Sequence, residues 1–264
     1  MAVVFIVALY FGLAVIAYFM AERMIFLPPP AGYRESARVI KLRTGAGDTI
    51  AAMHFPNPEA RYTILFSHGN AEDIGHNEDF FGSLVKQGWA VFAYDYPGYG
   101  LSTGTPTERS AYTAIDAAYA YMRNDLRIPP EQIVIYGRSV GTGVSVDLAA
   151  REPVAGLILE SPMTSIIPVV TRVPVFPFDY FRNISKIKKI NAPLLVMHGR
   201  ADRIIHVRHG EALFTAANEP KRSLFVEGAD HNDFMWIAGE RYWSALRDYQ
   251  AWLEQLPKTR AVDR

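Results

Sequence analysis

The 264-residue chain contains no cysteine, which excludes disulfides, thiolate metal sites and cysteine nucleophiles together. It also has no excess of charge of either sign: Lys plus Arg and Asp plus Glu stand at 27 each. No net field therefore favours nucleic acid or another polyanion as a partner. Internal repeats, low-complexity tracts and a linker to a second domain are absent as well. The chemistry must come from oxygen, nitrogen and carboxylate groups. With half of its residues apolar, the chain can bury one large core, and one catalytic domain is expected.

Present instead is an unbroken apolar run, Val3 to Met20, about 27 Å long as a helix and so close to the thickness of a bilayer's hydrocarbon. The alternatives are a cleaved signal peptide and a buried core helix. A signal peptide fits less well, because no Lys or Arg precedes the run and no small-x-small cleavage site follows it. The expectation is a single-pass anchor over residues 1–22, with the lipid bilayer as partner through residues 3–20. A juxtamembrane spacer follows over 23–36, stiffened by Pro28, Pro29 and Pro30. Equally open is that this spacer packs across the domain. Arg23, Arg34, Arg38, Lys41 and Arg43 all follow the span, which leans towards a cytoplasmic catalytic domain.

From residue 37 onwards, short apolar runs alternate with helical stretches. Arg38 to Leu42 and Thr49 to Phe55 flank a glycine-containing turn and suit an antiparallel pair. Tyr62 to Phe66, Trp89 to Tyr94, Gln132 to Tyr136, Gly156 to Leu159, Pro193 to His198 and Ser223 to Val226 are nearly continuous in apolar character, as strands buried on both faces are. Helical patterns separate most of them, so the sequence predicts an α/β fold: a mostly parallel eight-stranded sheet with helices on both faces, over 37–264. Between Ser161 and Ile187, Pro168, Pro174 and Pro177 interrupt an apolar stretch, which predicts a small broken lid at about 162–187. These side chains either line an acyl pocket or simply pack on the sheet.

The pattern G-x-S-x-G occurs twice, at Gly100 to Gly104 and at Gly137 to Gly141. A nucleophile elbow needs a strand, a sharp turn and then a helix, with very small residues two before and two after the serine. Ser139 follows the β-branched run Ile133 to Tyr136 and precedes a helical pattern, whereas Ser102 has loop on both sides. Ser139 is thus the candidate nucleophile. A serine hydroxyl needs an imidazole to take its proton and a carboxylate to orient that imidazole. In this fold the order is Ser, acid, His. His231 lies just after the last predicted strand, and Asp202 follows the strand Pro193 to His198 through Gly199-Arg200-Ala201. Asp230, Asp233 and Asp95 are the rival acids. The backbone amides of Val140 and, in Ser67-His68-Gly69-Asn70-Ala71, of Asn70 are the expected oxyanion donors. His68 is expected to be structural.

These motifs, with Tyr94-Asp95-Tyr96-Pro97-Gly98-Tyr99-Gly100 and His231-Asn232-Asp233, together resemble the membrane-anchored α/β-hydrolase-domain proteins. The resemblance implies the α/β-hydrolase fold, Ser139, Asp202 and His231 as a triad, and Asn70 with Val140 at the oxyanion. Some eukaryotic members of that group remove palmitate from proteins, and relatives include esterases, lipases, thioesterases and peptidases. Acylated members carry cysteines near their N-termini. This chain has none, and its apolar span fits the same task.

The expected activity is cleavage of acyl esters, small or lipid-derived, through an acyl-enzyme intermediate. Phe176, Phe178, Val173 and Tyr99 are the expected substrate contacts. A thioesterase, a peptidase and a non-catalytic membrane scaffold are the alternatives. Neither a metal nor an organic cofactor is expected, because general-base catalysis suffices to activate the serine.

Overall fold

The structure, a computed structural model, describes residues 1–172 and 175–256. Among these residues eight strands form one sheet: β1 (Ile40–Arg43), β2 (Thr49–Phe55), β3 (Thr63–Ser67), β4 (Ala90–Tyr94), β5 (Ile133–Arg138), β6 (Gly156–Glu160), β7 (Leu194–Gly199) and β8 (Lys221–Val226). Their order across the sheet is β1-β2-β4-β3-β5-β6-β7-β8. β1 and β2 form the expected antiparallel pair, and β2 also runs antiparallel to β4. Every later pairing is parallel. Helices α2 (Glu78–Lys86), α3 (Glu108–Asn124), α4 (Gly141–Ala149) and α7 (Arg208–Ala216) supply crossovers between parallel strands, and α9 (Glu240–Gln255) follows the last strand and packs on the sheet.

The central parallel strands are apolar over most of their length because both faces are covered, and their alternating side chains divide between two cores. Leu65, Ile133, Ile135, Leu157 and Leu159 point towards α3 and α4. Ile64, Phe66, Val134, Tyr136 and Ile158 point to the other side, where Phe81, Tyr242 and Tyr249 cover them. All of these side chains are fully buried. The sheet's carboxyl edge, where β3, β5, β7 and β8 end, is therefore held rigidly from above and below.

The N-terminal helix, α1, runs from Ala2 to Ile25, three residues past the expected anchor boundary. Its Val4–Ile25 portion is long and apolar enough to cross a membrane and only 6% of it is buried. Residues 23–36 do not stand off the domain as a free spacer. Phe26 is 3% exposed and packs on Tyr96, Tyr99 and Phe181, burial that contributes about 2 kcal/mol. Further on, Gly32 donates its N–H to Asp73 at 2.6 Å, and Tyr33 donates its hydroxyl to Asp95. The seven apolar residues of Met24–Leu27 and the prolines gave no sign of what they would touch, and the tertiary partners come from loops far along the chain.

The lid region contains α5 (Ile166–Thr171) and α6 (Asn183–Lys186), followed after the lid by the short α8 (Phe234–Ala238). Pro168 sits in the first turn of α5, where its missing N–H has no helical partner to lose. The lid rests on α1: Tyr10 donates to the Val175 carbonyl at 2.9 Å, Tyr180 donates to the Tyr18 carbonyl at 3.2 Å, and the Tyr18 and Phe178 rings meet edge to face at 5.3 Å.

Candidate active site

At the end of β5 the chain turns sharply at Ser139, whose φ is +54°, a left-handed conformation that a non-glycine residue adopts only when its surroundings impose it. Those surroundings are specific. The Ser139 N–H donates to the Glu160 carbonyl of β6 at 2.9 Å, and α4 begins immediately after. A Cβ at position 141 would lie 2.2 Å from the Ser67 carbonyl oxygen, so only glycine lets α4 start this close to β3. The result lifts the hydroxyl to the sheet edge and points the positive end of α4 at it.

Three sequence-expected residues meet there. His231 Nε2 lies 3.0 Å from Ser139 Oγ, and His231 Nδ1 lies 2.7 Å from Asp202 Oδ2. His231 is brought in by the loop after β8, and Asp202 by the loop after β7. The two loops are stitched together by Arg200 N–H to the Val226 carbonyl and Ala201 N–H to the Ala229 carbonyl, at 2.8 and 3.0 Å. Asp202 is 3% exposed. Burial alone would raise its pKa, but the His198 and His231 rings and the Ile205 amide at 2.7 Å outweigh burial and hold the carboxyl well below its ordinary range. It is thus a carboxylate at neutral pH, suited to keeping the proton of His231 on Nδ1 and the lone pair of Nε2 towards the serine.

The rival acids are occupied elsewhere. Asp230 accepts from Arg203 and from the His231 backbone, Asp233 accepts from the Asp230 backbone, and Asp95 accepts from Tyr33 and from the Ile74 amide. Ser102, the other motif serine, accepts from Ala51 N–H at 2.9 Å and lies in a turn.

The loop after β3 forms the opposite wall. Gly69 passes so close to the nucleophile that a Cβ there would sit 3.5 Å from Ser139 Cβ and 2.7 Å from the Glu72 carboxylate. Among the described residues, neither the Asn70 nor the Val140 backbone N–H has an acceptor. Two free donors beside the hydroxyl are what an oxyanion requires. His68 is fully buried and its Nδ1 lies 2.8 Å from the Gly69 carbonyl, which belongs to the same peptide unit as the Asn70 N–H. Burial pushes its pKa down, so the ring is neutral and is one support of that peptide unit, on its carbonyl side.

One clasp escaped the sequence. Arg138, next to the nucleophile, grips both oxygens of Glu72 at 2.8 and 2.9 Å, and Glu72 accepts the Gly69 N–H at 2.5 Å. Arg138 thereby ties the elbow to the loop that carries Asn70, with its guanidinium over the Phe66 and Phe80 rings. The only signal was a charged residue at the end of a fully apolar strand.

The expected substrate contacts scatter. Phe176 and Phe178 stack on each other, with ring centroids 5.3 Å apart, against α1. Tyr99 is fully buried, and its hydroxyl is committed to Asn70 at 2.8 Å, so it stands behind the site and not in the wall of an open pocket. Val173 lies outside the described residues. A cleft of about 320 Å³ opens instead between the acid and histidine loops, lined by Arg203, Ile204, Asp230, Asn232 and Asp233.

The family model described as serine aminopeptidase, S33, matches residues 58–186. The chain is 45% identical over 204 residues to the human alpha/beta hydrolase domain-containing protein 17B, covering 76% of this chain and 71% of that protein. It is 44% identical over 180 residues to the mouse protein 17C, covering 67% and 56%. Among solved structures it resembles a Pyrococcus furiosus esterase with a TM-score of 0.70 at 16% identity, over 85% of this chain and 98% of the other. A monoacylglycerol lipase of Paleococcus ferrophilus gives 0.61 at 20% identity, over 77% and 99%. At such identities the likeness is one of fold.

Proposed function

Since the chain belongs to the alpha/beta hydrolase domain-containing protein 17 family, we propose that it is a membrane-anchored serine hydrolase that cleaves acyl esters through a covalent intermediate on Ser139. The observation that carries this reading is the continuous path from Asp202 through His231 to Ser139, at 2.7 and 3.0 Å, beside two unengaged backbone amides. As the hydroxyl oxygen attacks the acyl carbon, its proton passes to His231 Nε2, and Asp202 stabilises the imidazolium that forms. The carbonyl oxygen gains the negative charge, for which the Asn70 and Val140 N–H groups and the start of α4 are the available donors. Collapse of this adduct expels the alcohol, which takes the proton back from His231. Water then repeats the sequence to release the acid and free the serine.

The second reading is an acyl thioesterase acting on acylated proteins. Family membership and an apolar helix compatible with a membrane anchor favour it, and the same steps apply with a thiol as leaving group. The anchor would keep the domain at the bilayer where such substrates reside, on the cytoplasmic side if the basic residues after the span set the orientation.

The test is labelling of the full chain with a fluorophosphonate. Labelling is expected to vanish in Ser139→Ala and persist in Ser102→Ala; retention in the first variant would sink the assignment. A panel of oxygen esters, thioesters and peptides of matched acyl length then separates the two readings.

A further inference from the structure

The N-terminal segment passes against the loop that carries Asn70. Burial of Phe26 seats the next peptide unit, so that Leu27, a residue 53% exposed, offers mainly its backbone. That N–H donates to Asn70 Oδ1 at 2.9 Å and to Tyr99 Oη at 3.0 Å. Tyr99 completes a triangle by donating its hydroxyl to the same Asn70 oxygen at 2.8 Å. The Ala71 N–H adds a further donor at 2.9 Å. The Asn70 side-chain oxygen is therefore saturated by groups from the juxtamembrane segment, the loop after β4 and its own loop, whereas the Asn70 backbone N–H has no acceptor among the described residues.

The geometry points to a positioning role for the juxtamembrane backbone: the Leu27 N–H, seated by Phe26 and relayed by Tyr99, holds Asn70 so that its own amide meets the oxyanion. The docked end of the anchor helix is then a working part of the hydrolytic site as well as a tether. This rests on the serine-hydrolase reading above. The physical reason is local. Asn70 is only half-buried, and Ala71 after it has a φ of +56°, a conformation that relaxes when its supports are removed. If the outer donors are lost, the carboxamide is free to change rotamer, and rotation about the Asn70 backbone tips the 69–70 peptide away from the acyl oxygen. Misplacing a catalytic group by about 1 Å lowers rates by up to about 100-fold.

The test uses the full chain in detergent micelles with a soluble p-nitrophenyl ester and a trifluoromethyl ketone, which forms a reversible hemiketal whose oxyanion reports directly on the hole. Leu27→Pro removes the N–H, and Phe26 already has the extended backbone, φ −105° and ψ 119°, that a residue before proline requires. Leu27→Ala keeps the N–H and is the reference. We expect kcat of Leu27→Pro to fall about tenfold below that of Leu27→Ala, with KM within about twofold and ketone affinity weakened by the same factor as kcat. Tyr99→Phe keeps the buried ring and should shift kcat and ketone affinity together in the same direction. Equal kcat and ketone affinity in the two Leu27 variants would overturn the proposal, as would a loss confined to KM. Should Leu27→Pro not fold, unchanged values in Tyr99→Phe overturn it alone. A wild-type chain without Ser139-dependent turnover overturns the hydrolytic reading, and this proposal with it.

Discussion

Two stretches of this chain carry the same five-residue pattern and fold into opposite things. In the stretch 137–141 the serine has a φ of +54°, its hydroxyl faces His231 at 3.0 Å, and the flanking glycines crowd each other. A Cβ at Gly137 would lie 2.6 Å from the Gly141 carbonyl oxygen. In the stretch 100–104 the glycines themselves take the left-handed φ, at +50° and +89°. Ser102 is spent on the backbone, accepting from Ala51 and donating to the Asp95 carbonyl at 3.4 Å. Glycine is required in both, in the first for space against backbone carbonyls and in the second for a left-handed conformation as well as for space, since a Cβ at Gly100 would lie 2.0 Å from the Asp95 carboxylate. The difference comes from what precedes: a buried parallel strand drives the chain into the first turn, whereas Pro97 and Gly98 have already loosened it before the second. A motif of this length carries chemistry only when the strand and helix around it force the strain onto the serine.

The largest expected contrast is in rate. Ser139→Ala should lower kcat/KM on an activated ester by about 10⁵-fold, and Ser102→Ala should leave it within a small factor; similar losses in both would erase the distinction. Next comes packing. Gly141→Ala places a methyl against the Ser67 and His68 carbonyls and should destabilise the fold by about 2–3 kcal/mol. Gly104→Ala meets only the Asp48 side chain, which can move aside, but holds an alanine at φ +89°, so it should cost about 1–2 kcal/mol; a larger shift of the urea midpoint than for Gly141→Ala would contradict this ranking.

A pH experiment sharpens the comparison further. Burial pushes the Asp95 carboxyl up to about 7, even though the Tyr33 hydroxyl and the Ile74 amide favour its charged form. The folded chain therefore holds a proton that the unfolded chain releases from about pH 4 upwards, and stability should fall as pH rises from about 4 to 7. Asp95→Asn should flatten that slope in urea titrations; an unchanged slope would remove Asp95 as its source. Asp202 has the opposite sign: its depressed pKa contributes stability above the ordinary carboxylate range that is lost only in stronger acid. The smallest effect is the stability change of Ser102→Ala, about 1 kcal/mol for its lost backbone bonds, read as a shift in melting temperature.

Much of the fold was legible because its signals are local. Strands buried on both faces are written as short apolar runs, and β5 followed by the small residues around Ser139 announces a strand, turn and helix. Chain order placed Asp202 and His231 after β7 and β8, and the structure brings both to the serine. Within the stretch expected to form a lid, Pro168 lies inside α5 and Pro177 between α5 and α6, while Pro174 lies outside the described residues. Other features had no such signal. Tyr99 reads as an aromatic residue near a site, yet it is buried with its hydroxyl on Asn70. Arg138 and Glu72 lie 66 residues apart, and nothing in either neighbourhood names the other.

The sequence by itself determined the alternation of strands and helices, the elbow and the order of the chemical groups, because each depends on spacing within a few residues. Only the tertiary structure decided that residues 23–36 lie across the domain, that the Leu27 amide reaches Asn70 and that the lid rests on α1. Those contacts join backbone groups and side chains far apart in the chain, and a backbone N–H is the same at every non-proline position, so no residue type marks which one will be used.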